Sequence, residues 1–241
     1  MLVGVAVTFP LILVFESAFL SSDALSGLAS GVFIGIGLSI VYRAMADSSS
    51  AVVAPVAAVF AAVLPLVWDL MQGADLGVLA TVGCAVAIAS LALTTFNPRL
   101  GDRIASGLAY ALAGGLCFGL SVVLAANTSE ASGVWPALTQ RFSAFVVVAV
   151  LALTSSVPVF LPKAVARFGV LGGIMGAFGM AAWVVGAQQG DLGTVSVIAS
   201  TYPAVVVLLA WKFDEDELRW WQAVGVAGAI LGTALIALGS A

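Results

Sequence analysis

The sequence predicts an all-α polytopic membrane protein of about nine transmembrane helices. It reads as two inverted repeats of a five-helix unit, with the first helix of the first copy missing. Three observations lead to this class. Of the 241 residues, 62% are hydrophobic and only 8% are charged, whereas soluble domains carry roughly 25% charged residues. The apolar runs are long and uniform, each near the ~20 residues that a helix needs to cross a bilayer. Finally, a shift of 143 residues lays the second part of the chain on the first, placing Trp211 on Trp68.

Nine candidate spans follow in order: 1–20, 25–43, 51–68, 76–96, 104–126, 136–156, 168–187, 193–211 and 220–239. Clusters of Gly, Pro and Ser, or charges, separate them. An outer-membrane barrel would instead show roughly ten-residue segments of alternating polarity, which these runs do not. The short connections make successive helices antiparallel neighbours. Met1 to Leu20 has no basic leading segment and reads as a span, not a cleavable signal.

The basic residues sort by side. Arg43, Arg99, Arg103, Lys163, Arg167, Lys212 and Arg219 all flank loops 44–50, 97–103, 158–167 and 212–219. The intervening connections hold Asp23, Asp69, Asp75, Glu130 and Asp191. The positive-inside rule then assigns the four basic loops to the cytoplasm of a multi-pass protein in the plasma or inner membrane. The acidic run Asp214–Glu217 reads as a cap and anchor for the last helix, with a solvated turn or salt bridges to Lys212 and Arg219 as the alternatives, and Trp220 and Trp221 suit an interface.

The repeat divides the chain into 1–97, which holds four spans, and 104–241, which holds five. "AVVAPVAAVFAAVLPLVW" (51–68) aligns with "TVSVIASTYPAVVVLLAW" (194–211), and the glycine-rich span of each half aligns with the other within a residue or two. An odd number of spans per half places matching loops on opposite faces, the inverted arrangement of many secondary transporters. The repeat implies that the chain begins inside what would be the second of ten helices. A start codon assigned too late, a shortened chain or a nine-span protein would each produce this.

Composition also excludes function classes. The net charge of −4 and the lack of a basic patch argue against nucleic-acid binding. There is no histidine, so neither a Ser-His-Asp triad nor an HExxH zinc site can form, and no paired aspartates lie within spans. An enzyme is not expected, and no cofactor or metal is called for. Cys84 and Cys117 lie inside apolar runs and read as small buried residues. The expected partners are a small-molecule substrate and the lipid bilayer.

Several residues interrupt the apolar spans in ways that suit a binding cavity. Ser196 and Ser200 lie at i and i+4, Pro203 follows on nearly the same face, and Tyr202 lies beside it. Pro203 removes a backbone donor and frees a carbonyl one turn earlier, a local break that Pro55 repeats loosely in the matching helix. The alternative is that the serines bond their own helix carbonyls. Trp183 follows Gly172 and Gly176 along one face and would either stack on a ligand or pack. Tyr110 and Ser121 share a face of the fifth span, a weaker candidate. Gly27, Gly31, Gly35, Gly172 and Gly176 form small faces that serve either close packing or sliding.

Arg141 lies within a span, where a charge calls for a partner or a water-filled site. Three readings stand for it: snorkelling to the outer interface, a contact to an anion or carboxylate, or a pair with Glu130. No acid sits at mid-membrane, so proton exchange and facilitated diffusion remain equally open.

These residues resemble a known family. "GDLGTVSVIASTYPAVVVLLAWKFDEDELRWWQAVGVAGAILGTALIALG" (190–239) is similar to the closing segment of the EamA-like branch of the drug/metabolite transporter superfamily. In that branch an acidic loop leads into E-x-L-x-x-x-Q-x-x-G. Leu218, Gln222 and Gly225 fit this pattern, and Asp216 stands in the Glu position. "PALTQRF" (136–142) resembles the opening of the second helix of each half, and "MADSSSAVVAPVAAVFAAVLPL" (45–66) the fourth helix of the first half, although Ala74 and Ala80 occupy its Glu and Gln positions. The family usually has a basic cytoplasmic loop after its second helix, and Asp23 stands there instead, which would place this protein the other way up. The resemblance implies ten helices around a central cavity and transport of small organic metabolites, amino acids, analogues or drugs by alternating access. A non-transporting scaffold or partner subunit is the alternative.

Overall fold

A computed structural model describes residues 1–14, 17–48, 50–73, 77–95, 102–126, 128–155, 163–189, 209 and 220–239. Its helices are α1 (Leu2–Thr8), α2 (Leu11–Val14), α3 (Ser21–Asp47), α4 (Ser50–Met71) and α5 (Val78–Thr95). They continue with α6 (Asp102–Ala126), α7 (Trp135–Thr154), α8 (Lys163–Gln189) and α9 (Trp220–Gly239), and a 3-10 turn at Glu130–Ser132 precedes α7. No strand occurs among the described residues. Among the described residues three helices are long and apolar enough to cross a membrane: Ser21–Asp47, Gly107–Ala125 and Trp135–Thr154. Shorter apolar stretches run over Leu2–Val14, Val56–Pro65, Val78–Ser90, Ala166–Gly179 and Ala223–Gly239.

The first expected span, 1–20, is not one helix. α1 ends at Thr8, and the chain resumes helix only for Leu11–Val14. Pro10 is the cause, because its ring nitrogen cannot donate to the preceding turn. The backbone compensates with three-residue turns, Ile12 N to Phe9 O at 3.2 Å and Leu13 N to Pro10 O at 3.1 Å. Of the expected span 193–211, only Leu209 is among the described residues.

The chain forms two compact units. One comprises Met1–Ile36 and Ser121–Gln189, the other Gly37–Leu120 and Gly190–Ala241. In the first unit, α3 lies against α7 along Gly27, Gly31 and Gly35. A Cβ on Gly27 would meet Thr139 Oγ1 and, at 2.5 Å, the Pro136 carbonyl. On Gly31 it would meet the Gln140 carbonyl, and on Gly35 the Val147 Cβ at 2.9 Å. Three glycines spaced one turn apart thus bring one helix onto the backbone of the next, where dispersion and close carbonyl approach supply the attraction that lipid cannot. α1 packs on α8 through Gly173, whose Cβ would lie 2.9 Å from Val3 Cβ.

In the second unit α5 and α9 pair in the same way. A Cβ on Gly83 would lie 2.6 Å from Ile236 N, and one on Gly232 2.7 Å from Ala87 N. Val59, Ala80, Ala87, Ala229 and Ile236 form the buried cluster there. A second cluster joins Val41, Ala44, Val53, Val56, Ala57 and Ala111.

Candidate functional site

In the first unit, the non-helical stretch 17–20 and the start of α3 are tied to the connection between α6 and α7. Asp23 is buried, and its carboxylate accepts a hydrogen bond from Ser129 N at 2.8 Å and from Ser22 Oγ at 3.1 Å. Ala18 N donates to Ala131 O at 2.9 Å, and Val134 N to Ser17 Oγ at 3.2 Å. Gly133 takes φ +49 and makes the turn into α7, a left-handed conformation that glycine adopts without a steric penalty. Pro136 then sits in the first turn of α7, where its missing N–H costs nothing. Phe19 packs edge-on to Trp135 with ring centroids 5.0 Å apart. These contacts fix where α7 begins, and therefore the depth of Gln140 and Arg141.

Below this cap lies a polar cluster drawn from three helices. Ser30 of α3 donates to the Ser121 carbonyl of α6 at 2.8 Å, and the two hydroxyl oxygens lie 2.7 Å apart. Gln140 of α7 approaches both, with Nε2 at 2.7 Å from Ser30 Oγ and 3.3 Å from Ser121 Oγ. Both serines are fully buried. The serine hydrogens are used by the Ser121 carbonyl and the Ser–Ser bond, so only a donor fits on Ser30 Oγ, and Gln140 presents its NH2 group. Among the described residues no buried side-chain polar atom lacks a partner.

The next residue of α7 points to other helices. Arg141 Nη2 donates to the Gly176 carbonyl of α8 at 2.7 Å, and a Cβ on Gly4 of α1 would lie 2.8 Å from Nη1. Glycine at position 4 leaves room for the guanidinium, which an added Cβ there would meet. Among the described residues Arg141 has no acidic partner, the one ion pair being Arg43 with Asp47 at 3.5 Å on the surface. The carboxylate of Glu130 is outside the described side chains. Adding a Cβ at Gly172, Gly176 or Gly179 would meet nothing within 4 Å. This face of α8 is therefore open among the described residues, unlike the face of α3 at Gly27, Gly31 and Gly35.

The other sequence candidates fall as follows. Ser121 joins the buried cluster, while Tyr110 is exposed on α6 and takes no part in it. Pro55 and Trp183 lie in α4 and α8, with side chains outside the description. Ser196, Ser200, Tyr202 and Pro203 lie outside the described residues. Ser30 and Gln140 were missed by sequence reasoning. Each is a polar side chain within a charge-poor span, and that signal was available for both.

The described residues form apolar helices, three of them long and apolar enough to cross a membrane, with a buried polar cluster tied between α3, α6 and α7, as suits a membrane protein. The sequence matches the EamA-like transporter family over residues 105–238, more than half of the chain, and the protein belongs to that family of the drug/metabolite transporter superfamily. No curated protein sequence matches it.

Proposed function

We propose that the protein carries small organic metabolites across the plasma or inner membrane by alternating access. The observation that supports this is the pair Gln140–Arg141 inside a span with no other charged residue. One side chain completes a buried polar cluster, and the other holds a cation against a single neutral carbonyl. Polar and charged groups at such depth are costly, and carriers keep them to bind solutes. In this reading Arg141 and Ser121, with Ser196, Ser200, Tyr202, Pro203, Trp183 and Tyr110, line the solute path. The halves 1–97 and 104–241 act as inverted repeats, and loops 44–50, 97–103, 158–167 and 212–219 face the cytoplasm.

The test is counterflow in proteoliposomes preloaded with amino acids, sugars, nucleobases or organic cations. Saturable exchange of labelled solute within one chemical class is the expected result. A folded, reconstituted protein that exchanges none of them would overturn the carrier reading and leave a scaffold or partner subunit.

A further inference from the structure

The carrier reading leaves the chemistry of its solute open, and Arg141 narrows it. A guanidinium is always charged, and it presents five N–H donors in a planar fork. Here one nitrogen is committed to the Gly176 carbonyl at 2.7 Å. That bond fixes the plane of the fork but brings no negative charge. Among the described residues no carboxylate balances it. Burying a cation within a span is tolerated when a counter-charge or water compensates it.

The helix that anchors it has an open face among the described residues. Gly176 supplies the anchoring carbonyl, and Gly172, Gly176 and Gly179 present a face on which added Cβ atoms would meet nothing within 4 Å among the described residues. The fork is thus held at one corner by the helix that carries this face.

Resting on the carrier reading, we propose that Arg141 is the anchor for a carboxylate on the transported solute. The planar fork offers paired N–H donors to the two oxygens of one carboxylate, so the proposed fit is to a monocarboxylate, zwitterionic or simple. The fork matches a carboxylate in both charge and geometry.

Thermal unfolding of the detergent-purified full chain tests this with matched probes: leucine against leucinamide, phenylalanine against phenylalaninamide, and hexanoate against hexanamide. The expected result is a saturable stabilisation by at least one acid at millimolar concentration. Its amide should bind at least about tenfold more weakly, the loss expected when a charge-assisted contact is removed. R141Q should remove the preference for acid over amide, and R141K should keep part of it. Equal binding of acid and amide overturns the proposal, as does failure of every acid to stabilise the wild-type protein, and neither readout depends on a variant that folds. Acid binding that survives R141Q unchanged overturns it too.

Flux separates this inference from the reading beneath it. An acid that binds through Arg141 but never crosses in proteoliposomes sinks the carrier and leaves the anchor. Neutral solutes exchanged equally by wild type and R141Q sink the anchor and leave the carrier.

Discussion

Ser30 and Ser121 are 91 residues apart in sequence, yet their hydroxyl oxygens lie 2.7 Å from each other, and Gln140 Nε2 closes the triangle. Within lipid such a cluster joins helices by hydrogen bonds that no water competes for, each worth roughly 0.5–2 kcal/mol. Replacing Gln140 by Leu should destabilise the detergent-solubilised protein by about 1 kcal/mol. In a double-mutant cycle with S30A the two losses should be non-additive, because both remove the same bond. Additive losses in thermal unfolding would mean that the two side chains act separately.

The two glycine faces should respond in opposite ways to added methyl groups. G31A drives a Cβ into the Gln140 carbonyl of α7. It should cost about 1–3 kcal/mol, the usual range for overpacking. G172A meets nothing within 4 Å among the described residues and should stabilise by about 0.5–1 kcal/mol, the helix preference of alanine over glycine. Unfolding curves of the two variants side by side decide the matter.

The connection before α7 should open when its anchors are removed. D23A deletes the acceptor for Ser129 N, leaving a donor unpaired at a cost of about 1–3 kcal/mol. G133A must hold φ +49 with a side chain and places its Cβ against Ser17 Oγ, which adds about 1–3 kcal/mol of backbone strain. Both variants should be cut faster by protease between Thr128 and Val134. Unchanged cleavage of D23A would show that the carboxylate does not hold this segment.

On the surface, Arg43 and Asp47 form an exposed i,i+4 pair at 3.5 Å. R43A should shift stability by less than about 0.5 kcal/mol. Measuring the shift at low and high salt checks it, since screening should erase what effect there is.

Helix positions were legible because hydrophobic length is a local property. The expected spans 25–43, 51–68 and 168–187 lie within α3, α4 and α8, and 220–239 coincides with α9. The break at Pro10 went unread because the run around it stays apolar, and apolarity alone cannot report a lost backbone donor. Ser30 and Gln140 went unread for a different reason. A lone serine or glutamine in a span can bond to its own helix, and its partner is fixed only once three helices meet. The glycine repeats make the same point, since Gly27-x3-Gly31 and Gly172-x3-Gly176 share one spacing but occupy packed and open surroundings among the described residues.

The distance in sequence between Ser30 and Gln140 also has a meaning in time. The ribosome must add 91 residues after Ser30 before Ser121 exists and 110 before Gln140 does, about 5 to 20 s of synthesis. Throughout that interval α3 carries a polar group and a bare glycine face with α7 still unmade. A temporary companion, whether the insertion machinery or an earlier helix, must shelter that face until its permanent neighbour arrives.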